Sequence, residues 1–203
     1  LTATKCGYLL NGRWGYNTGG HGTRWTIVSA IRDGVPASVI AKASDFTRLD
    51  DWFASGMTGT GSSTIVADDV FVPEQQTQSL PSMINGEYSE ARHNATDPYF
   101  NLPLASVLAI NAGGTPVGIA RGAIDAFFER LPGRGITHTT YDDQSLAAVT
   151  HLQVGEAVLL TDSADDHIRR ACTLLDAPAA GAPTFLDRVK GRAHVAYATG
   201  PAR

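Results

Sequence analysis

What this 203-residue chain lacks narrows its chemistry first. It has only two cysteines, Cys6 and Cys172, far apart and without ligand-type spacing. That leaves no thiolate metal site and no disulfide framework. Both are expected as free thiols in a reducing compartment, the cytoplasm, with a single disulfide as the alternative. It has no basic excess either, with 16 Lys and Arg against 20 Asp and Glu and a formal charge of −4. Such a balance carries no electrostatic footprint for nucleic acid and no basic face for a membrane surface. The longest apolar runs fall far short of a bilayer span. No GxGxxG lies between a strand and a helix, which excludes a Rossmann dinucleotide site. Gly59-Thr60-Gly61-Ser62-Ser63 is similar to a phosphate nest, yet it has no P-loop lysine and precedes a strand, so it reads as a tight turn. No GxSxG elbow or Ser/His/Asp constellation stands out. The six histidines have no metal-ligand spacing, and His151 and His167 read as helix-face residues. The acidic pairs Asp68-Asp69, Asp142-Asp143 and Asp165-Asp166 read as solvated turns or edges. No internal repeat or low-complexity tract appears.

What is present is ordinary in bulk and uneven in order. Hydrophobic residues make up 43% and charged residues 18% of the chain, enough material for a real core. From Tyr8 to about Pro73 the signals are β. Trp25 to Ile31, Ala37 to Lys42, Phe46 to Leu49 and Thr64 to Pro73 read as short strands, and Arg32-Asp33-Gly34 as a turn. Short strands with glycine-rich turns argue for a compact antiparallel sandwich or barrel. Residues 73–99 are polar and turn-rich and read as a long connection. The period then changes. Thr115-Pro116 predicts a helix start, followed by Val117, Ala120, Ile124, Phe127, Phe128 and Leu131 at helical spacing, with a stop at Pro132-Gly133. A second helix is predicted over about Leu146 to Leu175. A third is predicted from Thr184, with Asp187 at the capping-box position. The class is therefore α+β, with a β domain over residues 1–100 and a partial helical bundle over 101–203. The chain opens at Leu1 without Met in strand-like sequence, and it is expected to be a piece of something longer.

The centre of interest is Leu10 to Ala30, LNGRWGYNTGGHGTRWTIVSA. Asn11-Gly12 predicts a hairpin turn, because both central residues of a type I′ turn need positive φ. In an extended segment Tyr16 and Thr18, at i and i+2, would share a face. An aromatic wall beside a hydroxyl makes a cradle for a planar ring with a polar edge; a surface hairpin with a wide loop is the plain alternative. His21, inside the glycine crossing, is the histidine assigned nearest a ligand, with a structural role as its alternative.

Three stretches in order resemble the acyl-CoA dehydrogenase superfamily, and within it the flavin-dependent two-component monooxygenases of the 4-hydroxyphenylacetate and aromatic-polyketide hydroxylase type. They are GRWGYNTGGHGTRW from Gly12, MTGTGSSTIVADDVFVPE from Met57, and PVGIARGAIDAFFE with GRGITHTTYDDQSLAAVTHLQVGEA from Pro116 to Ala157. The resemblance implies a middle antiparallel β-barrel followed by part of a C-terminal four-helix bundle, with the family's N-terminal helical domain and last helices absent. It implies flavin between barrel and bundle, a homotetramer, and a separate flavin reductase supplying reduced FMN or FAD. The implied reaction uses O₂ by way of a C4a-hydroperoxyflavin to hydroxylate a small aromatic or polyketide-like substrate.

Carried over by position, Tyr16 would flank the flavin ring and Thr18 would lie near its N5, where a hydroxyl tunes the ring and stabilises a peroxide adduct. Thr18 and His21 are the candidate catalytic residues. Gly19, Ser62 and Ser63 are further candidates for holding the ring. Arg134, Thr137, Thr139 and Tyr141 lie where relatives contact the flavin phosphate, and a guanidinium with hydroxyls suits that group. No metal is implied. The dehydrogenase branch carries Arg-x-Gln-Phe-Gly where this chain reads Arg134-Gly135-Ile136-Thr137-His138. That departure favours oxygen chemistry over the first rival, an FAD-dependent acyl-CoA dehydrogenase, whose catalytic carboxylate would lie beyond Arg203. The second rival is a non-catalytic β-sandwich binding module with a helical oligomerisation segment.

Overall fold

A computed structural model describes residues 1–88, 98–176 and 183–200. The chain divides into two compact units, Leu1–Glu90 and Ala91–Arg203.

The first unit holds two antiparallel sheets. One contains β1 (Thr2–Thr4), β2 (Gly7–Trp14), β6 (Ile65–Pro73) and β5 (Thr47–Arg48), in that spatial order. The other contains β3 (Trp25–Arg32), β4 (Val35–Lys42) and β7 (Thr77–Ser79). β3 and β4 form a hairpin from Trp25↔Lys42 to Arg32↔Val35. Its two-residue loop is Asp33-Gly34, both at positive φ (51° and 79°), the geometry a type I′ turn demands. On β4 alternate residues Ala37, Val39 and Ala41 point inward; on β3 Val28 does. Val28, Val39 and Ala41 share one cluster with Leu10, Phe46, Ile65, Ala67 and Val72. Trp14 ties the sheets together. Its indole N–H donates to the Ser29 carbonyl at 2.8 Å, and its ring meets Phe46 edge-on.

Asn11-Gly12 is not a turn. Both residues lie inside β2, whose register against β6 slips between Leu10↔Val70 and Gly12↔Ala67. Asn11 therefore faces two residues, Asp68 and Asp69, across a β-bulge. The positive φ falls on Asp69 (47°) instead. The Asn11 side-chain amide donates to the Asp69 carboxylate and accepts from the Asp69 N–H, both at 2.8 Å. The long connection after Pro73 is more ordered than expected over its first part. It contains β7 and a short helix α1 (Leu80–Asn85), capped by Ser79 and closed by Gly86 at φ 80°. Its remainder, 89–97, lies outside the described residues.

The second unit packs α2 (Leu104–Arg130), α3 (Ala148–Asp176) and α4 (Phe185–Thr199) against one another. Thr115-Pro116 does not start a helix, because Pro116 sits inside α2, thirteen residues past the Pro103 cap. An interior proline loses one helical hydrogen bond and presses on the carbonyl four residues back, a cost of about 3 kcal/mol. Burial of Ser106, Gly113 and Val117 along the same helix outweighs that local signal. Gly113 marks the close approach: a Cβ there would lie 2.7 Å from Ile168 Cδ1 and 3.0 Å from Val195 Cγ1, on the two neighbouring helices. The Thr184 start of α4 is as expected, with a reciprocal capping box to Asp187. Hydrogen bonding to Thr184 holds the Asp187 carboxyl below the usual carboxylate range. Among the described residues no helix is long and apolar enough to cross a membrane.

Candidate functional site

The candidate residues fall into two groups, one in each unit. In the first, β2 ends at Trp14 and the chain turns at once. Tyr16 is at φ 59°, and the Thr18 N–H donates to the Tyr16 carbonyl at 2.8 Å. Tyr16 and Thr18 are thus brought together by a tight turn, not by a shared strand face. The turn is stitched to the Thr60–Ser63 segment, more than 40 residues further on in the chain. The Gly19 N–H donates to the Thr60 carbonyl at 2.9 Å, and the Asn17 N–H to the Ser63 carbonyl at 3.4 Å. The Thr18 and Ser62 hydroxyls lie 3.0 Å apart. Ser62 and Ser63 are buried, whereas Thr18 and Gly19 remain exposed, and Tyr16 is 82% exposed.

His21 has a packing role. Gly61, at φ 53°, has its missing Cβ position only 2.3 Å from His21 Cδ2, so the imidazole fills the space over that glycine. The crossing and the hydroxyl-rich loop are locked together at that point. The nest-like loop is a tight turn as expected, a 3-10 turn bracketed by Met57 and Gly61, both left-handed.

Three contributors were missed in the sequence. Trp52 meets Tyr16 edge-on at 5.9 Å, and the Arg48 guanidinium donates to the Gly20 carbonyl at 3.0 Å. The Thr60 hydroxyl lies 2.7 Å from that of Ser62. Only Thr60 carries a signal, its place in the Gly-Thr-Gly-Ser-Ser run, which reads as a tight turn and gives no sign of a hydroxyl relay. Nearby, the Thr64 N–H donates to Asp51 at 2.8 Å, and this hydrogen bonding, with Arg13 close by, holds Asp51 below the usual carboxylate range.

Beside Tyr16 and Thr18 lies a cleft of about 460 Å³, lined also by Trp14, Trp25, Thr26 and Ile27. Indole and phenol faces with hydroxyl edges and no carboxylate in the lining suit a flat heteroaromatic ring with a polar rim. The donor set therefore fits a flavin ring. It does not resemble a metal site, and among the described residues no cluster of three metal-ligating side chains occurs.

The second group is the loop between α2 and α3, where Arg134, Thr137, Thr139 and Tyr141 are exposed. Local bonds shape it. The Ile136 N–H donates to the Tyr141 carbonyl at 2.9 Å, the Thr139 hydroxyl to the Ile136 carbonyl at 2.8 Å, and the Gln144 N–H to the Arg134 carbonyl at 2.6 Å. Gly133 and His138 take the left-handed turns (φ 69° and 62°). Asp143 accepts from the Ser145 N–H, which lowers its pKa. Arg134 has an exposed guanidinium, which suits an anionic group.

Comparison with known proteins bears on what this arrangement belongs to. The model of the acyl-CoA dehydrogenase C-terminal domain matches residues 110–203. Over 177 residues the chain is 30% identical to the oxygenase component of the FADH(2)-dependent resorcinol hydroxylase of Rhizobium sp. (strain MTP-10005), covering 83% of this chain and 43% of that protein. XiaF from Streptomyces sp., solved in complex with FADH2 and glycerol, is 32% identical with a TM-score of 0.84, over 98% of this chain and 52% of XiaF. The 3-HSA hydroxylase from Rhodococcus sp. RHA1 is 27% identical with a TM-score of 0.85, over 98% and 53%. The chain spans about half the length of these relatives. The motifs, the antiparallel sheets followed by long helices, and these likenesses agree: the chain belongs to the acyl-CoA dehydrogenase superfamily, in its flavin-dependent two-component monooxygenase branch.

Proposed function

We propose that the protein carrying this chain is the oxygenase component of a two-component flavin monooxygenase that hydroxylates a small aromatic substrate. The observation that carries the reading is the exposed Tyr16 ring beside an exposed Thr18 hydroxyl that Ser62 holds from behind. A reduced flavin bound there supplies the two electrons that activate O₂. Tyr16 and Trp52 form the aromatic wall. Thr18 contacts N5 of the ring through its hydroxyl, and the His21 imidazole, packed over Gly61, closes the wall behind it. Gly19 keeps the approach open, since nothing lies within 4 Å of where its Cβ would be. Ser62 and Ser63 back the cradle as buried hydroxyls. Arg134, with Thr137, Thr139 and Tyr141, meets the phosphate of a flavin, often a neighbouring subunit's, in a homotetramer. The residues together hold the ring, exclude water from it and orient the substrate.

Reduced FAD is favoured over FMN, because XiaF is solved with FADH2 and the resorcinol hydroxylase is FADH(2)-dependent. The names of these relatives likewise favour hydroxylation of phenols over acyl-CoA oxidation or mere binding. In this reading a separate reductase, dissolved with it in the cytoplasm, delivers the reduced flavin. The test is a coupled assay of the full-length protein with an independent NADH:flavin reductase and a panel of monohydric phenols. A phenol-dependent catechol product is expected. Hydrogen peroxide with no hydroxylated product from any phenol would refute the reading.

A further inference from the structure

We infer that Thr60 and Ser62 are positioning residues that fix the direction of the Thr18 hydroxyl, so that it offers only lone pairs to the ring and makes the site select reduced over oxidised flavin. The inference rests on the flavin reading above for the identity of the ring; the direction of the hydroxyl comes from the hydrogen-bond geometry alone.

The direction follows from one carbonyl. The Thr60 hydroxyl lies 2.9 Å from the Met57 carbonyl oxygen, and a carbonyl cannot donate, so Thr60 is the donor there. That carbonyl anchors the loop, since it also accepts the Thr60 N–H at 3.1 Å and the Trp52 indole N–H at 3.3 Å. With its single proton committed to Met57, Thr60 Oγ1 can only accept at its 2.7 Å contact with Ser62 Oγ. Ser62, which is buried, must then be the donor to Thr60. Ser62 in turn can only accept at its 3.0 Å contact with Thr18, so the Thr18 proton points inward to Ser62. The Tyr16 carbonyl, at 3.5 Å, is too far away to compete with Ser62 for that proton. The exposed side of Thr18 Oγ1 therefore presents lone pairs and no hydrogen.

A ring atom facing those lone pairs is welcome only if it carries a hydrogen. N5 of reduced flavin is an N–H donor. N5 of oxidised flavin has a lone pair and would face another lone pair, leaving both unpaired. An unmatched polar contact of this kind costs roughly a factor of five to one hundred in affinity. The three hydroxyls Thr60, Ser62 and Thr18 thus form a one-way relay whose orientation is set at Met57.

The test is the ratio of dissociation constants for oxidised and reduced FAD on the full-length protein, measured anaerobically. The midpoint potential of the bound flavin serves as a second readout, since a tenfold change in the ratio is about 30 mV for a two-electron couple. Thr60→Val removes the acceptor for Ser62, which can then turn and donate to Thr18, freeing the Thr18 proton to point outward. Ser62→Ala frees it directly. Each variant is expected to reduce the preference for reduced flavin about fivefold or more, while Thr60→Ser, which keeps the hydroxyl, retains it. In a Thr18→Val background Thr60→Val should change nothing further. The inference is overturned if Thr60→Val and Ser62→Ala bind both forms in the unaltered ratio, or if Thr60→Val still shifts the ratio when Thr18 is Val. Either outcome would leave the flavin reading standing. Failure of the unaltered protein to bind either form would remove both.

Discussion

The two units solve the same problem with different materials. The sheet unit fills its interior with large aliphatic side chains from both sheets, including Leu10, Val39, Ile65 and Val72. The helical unit buries mainly small residues, with Ala164, Ala171, Ala198 and Gly113 beside only a few larger ones such as Val117, Leu175 and Val195, and leaves Ile119, Leu152, Leu159 and Phe185 exposed. Their candidate residues differ in the same way. Tyr16 to Gly19 is held by bonds to Thr60, Ser62 and Ser63 from a distant part of the chain, whereas the Arg134 to Tyr141 loop is shaped by bonds within ten residues. One half is a product of tertiary structure, the other of local turn chemistry.

That contrast can be broken at defined points. All three tryptophans, Trp14, Trp25 and Trp52, lie in the sheet unit, so indole fluorescence follows its unfolding while helical ellipticity is dominated by the other. The largest effect is expected from Leu10→Ala, at a fully buried position. It should cost about 3 kcal/mol in the fluorescence-detected denaturant transition and leave the ellipticity transition in place. Gly113→Val should do the reverse, lowering the ellipticity midpoint by about 2 kcal/mol, because its side chain collides with Ile168 and Val195. Thr184→Ala removes one half of the α4 capping box and should cost about 1 kcal/mol in the same transition.

The smallest effect is in pH. His194 and His167 are joined Nδ1 to Nδ1 at 2.7 Å, with the Tyr197 ring tilted against His167 at a centroid distance of 4.3 Å. Burial, then His167 and Arg170, lower the His194 pKa below 6.5. The unfolded chain therefore binds the proton more readily, so stability is present above about pH 6.5 and is lost as pH falls from there through the lowered folded value. Acidifying from about pH 7 to about pH 5 should lower the ellipticity midpoint. Replacing His167 by Gln should flatten that dependence; an unchanged slope would deny the pair its role.

Most of the architecture was readable because local signals agreed with it. The Asp33-Gly34 hairpin, the alternation on β4 and the Thr184 capping box each needed only neighbours along the chain. The failures have a common cause. Asn11-Gly12 became a bulge because β6 runs on opposite it, and Pro116 stayed inside α2 because packing outweighs one lost hydrogen bond. Tyr16 and Thr18 stand out in the sequence by residue type and spacing, and the family resemblance adds Ser62 and the flavin roles. The turn that joins the first two, and Thr60 and Trp52 behind them, depend on contacts that no spacing encodes.

The central claim is that the Tyr16–Thr18 turn receives the ring of a reduced flavin. Anaerobic equilibrium titration of the full-length protein and its Thr18→Val variant with reduced FAD tests it most directly. Saturable binding by the unaltered protein, weakened roughly five- to tenfold in the variant, is the predicted result. No binding by the unaltered protein, or equal affinity in the two, would contradict it.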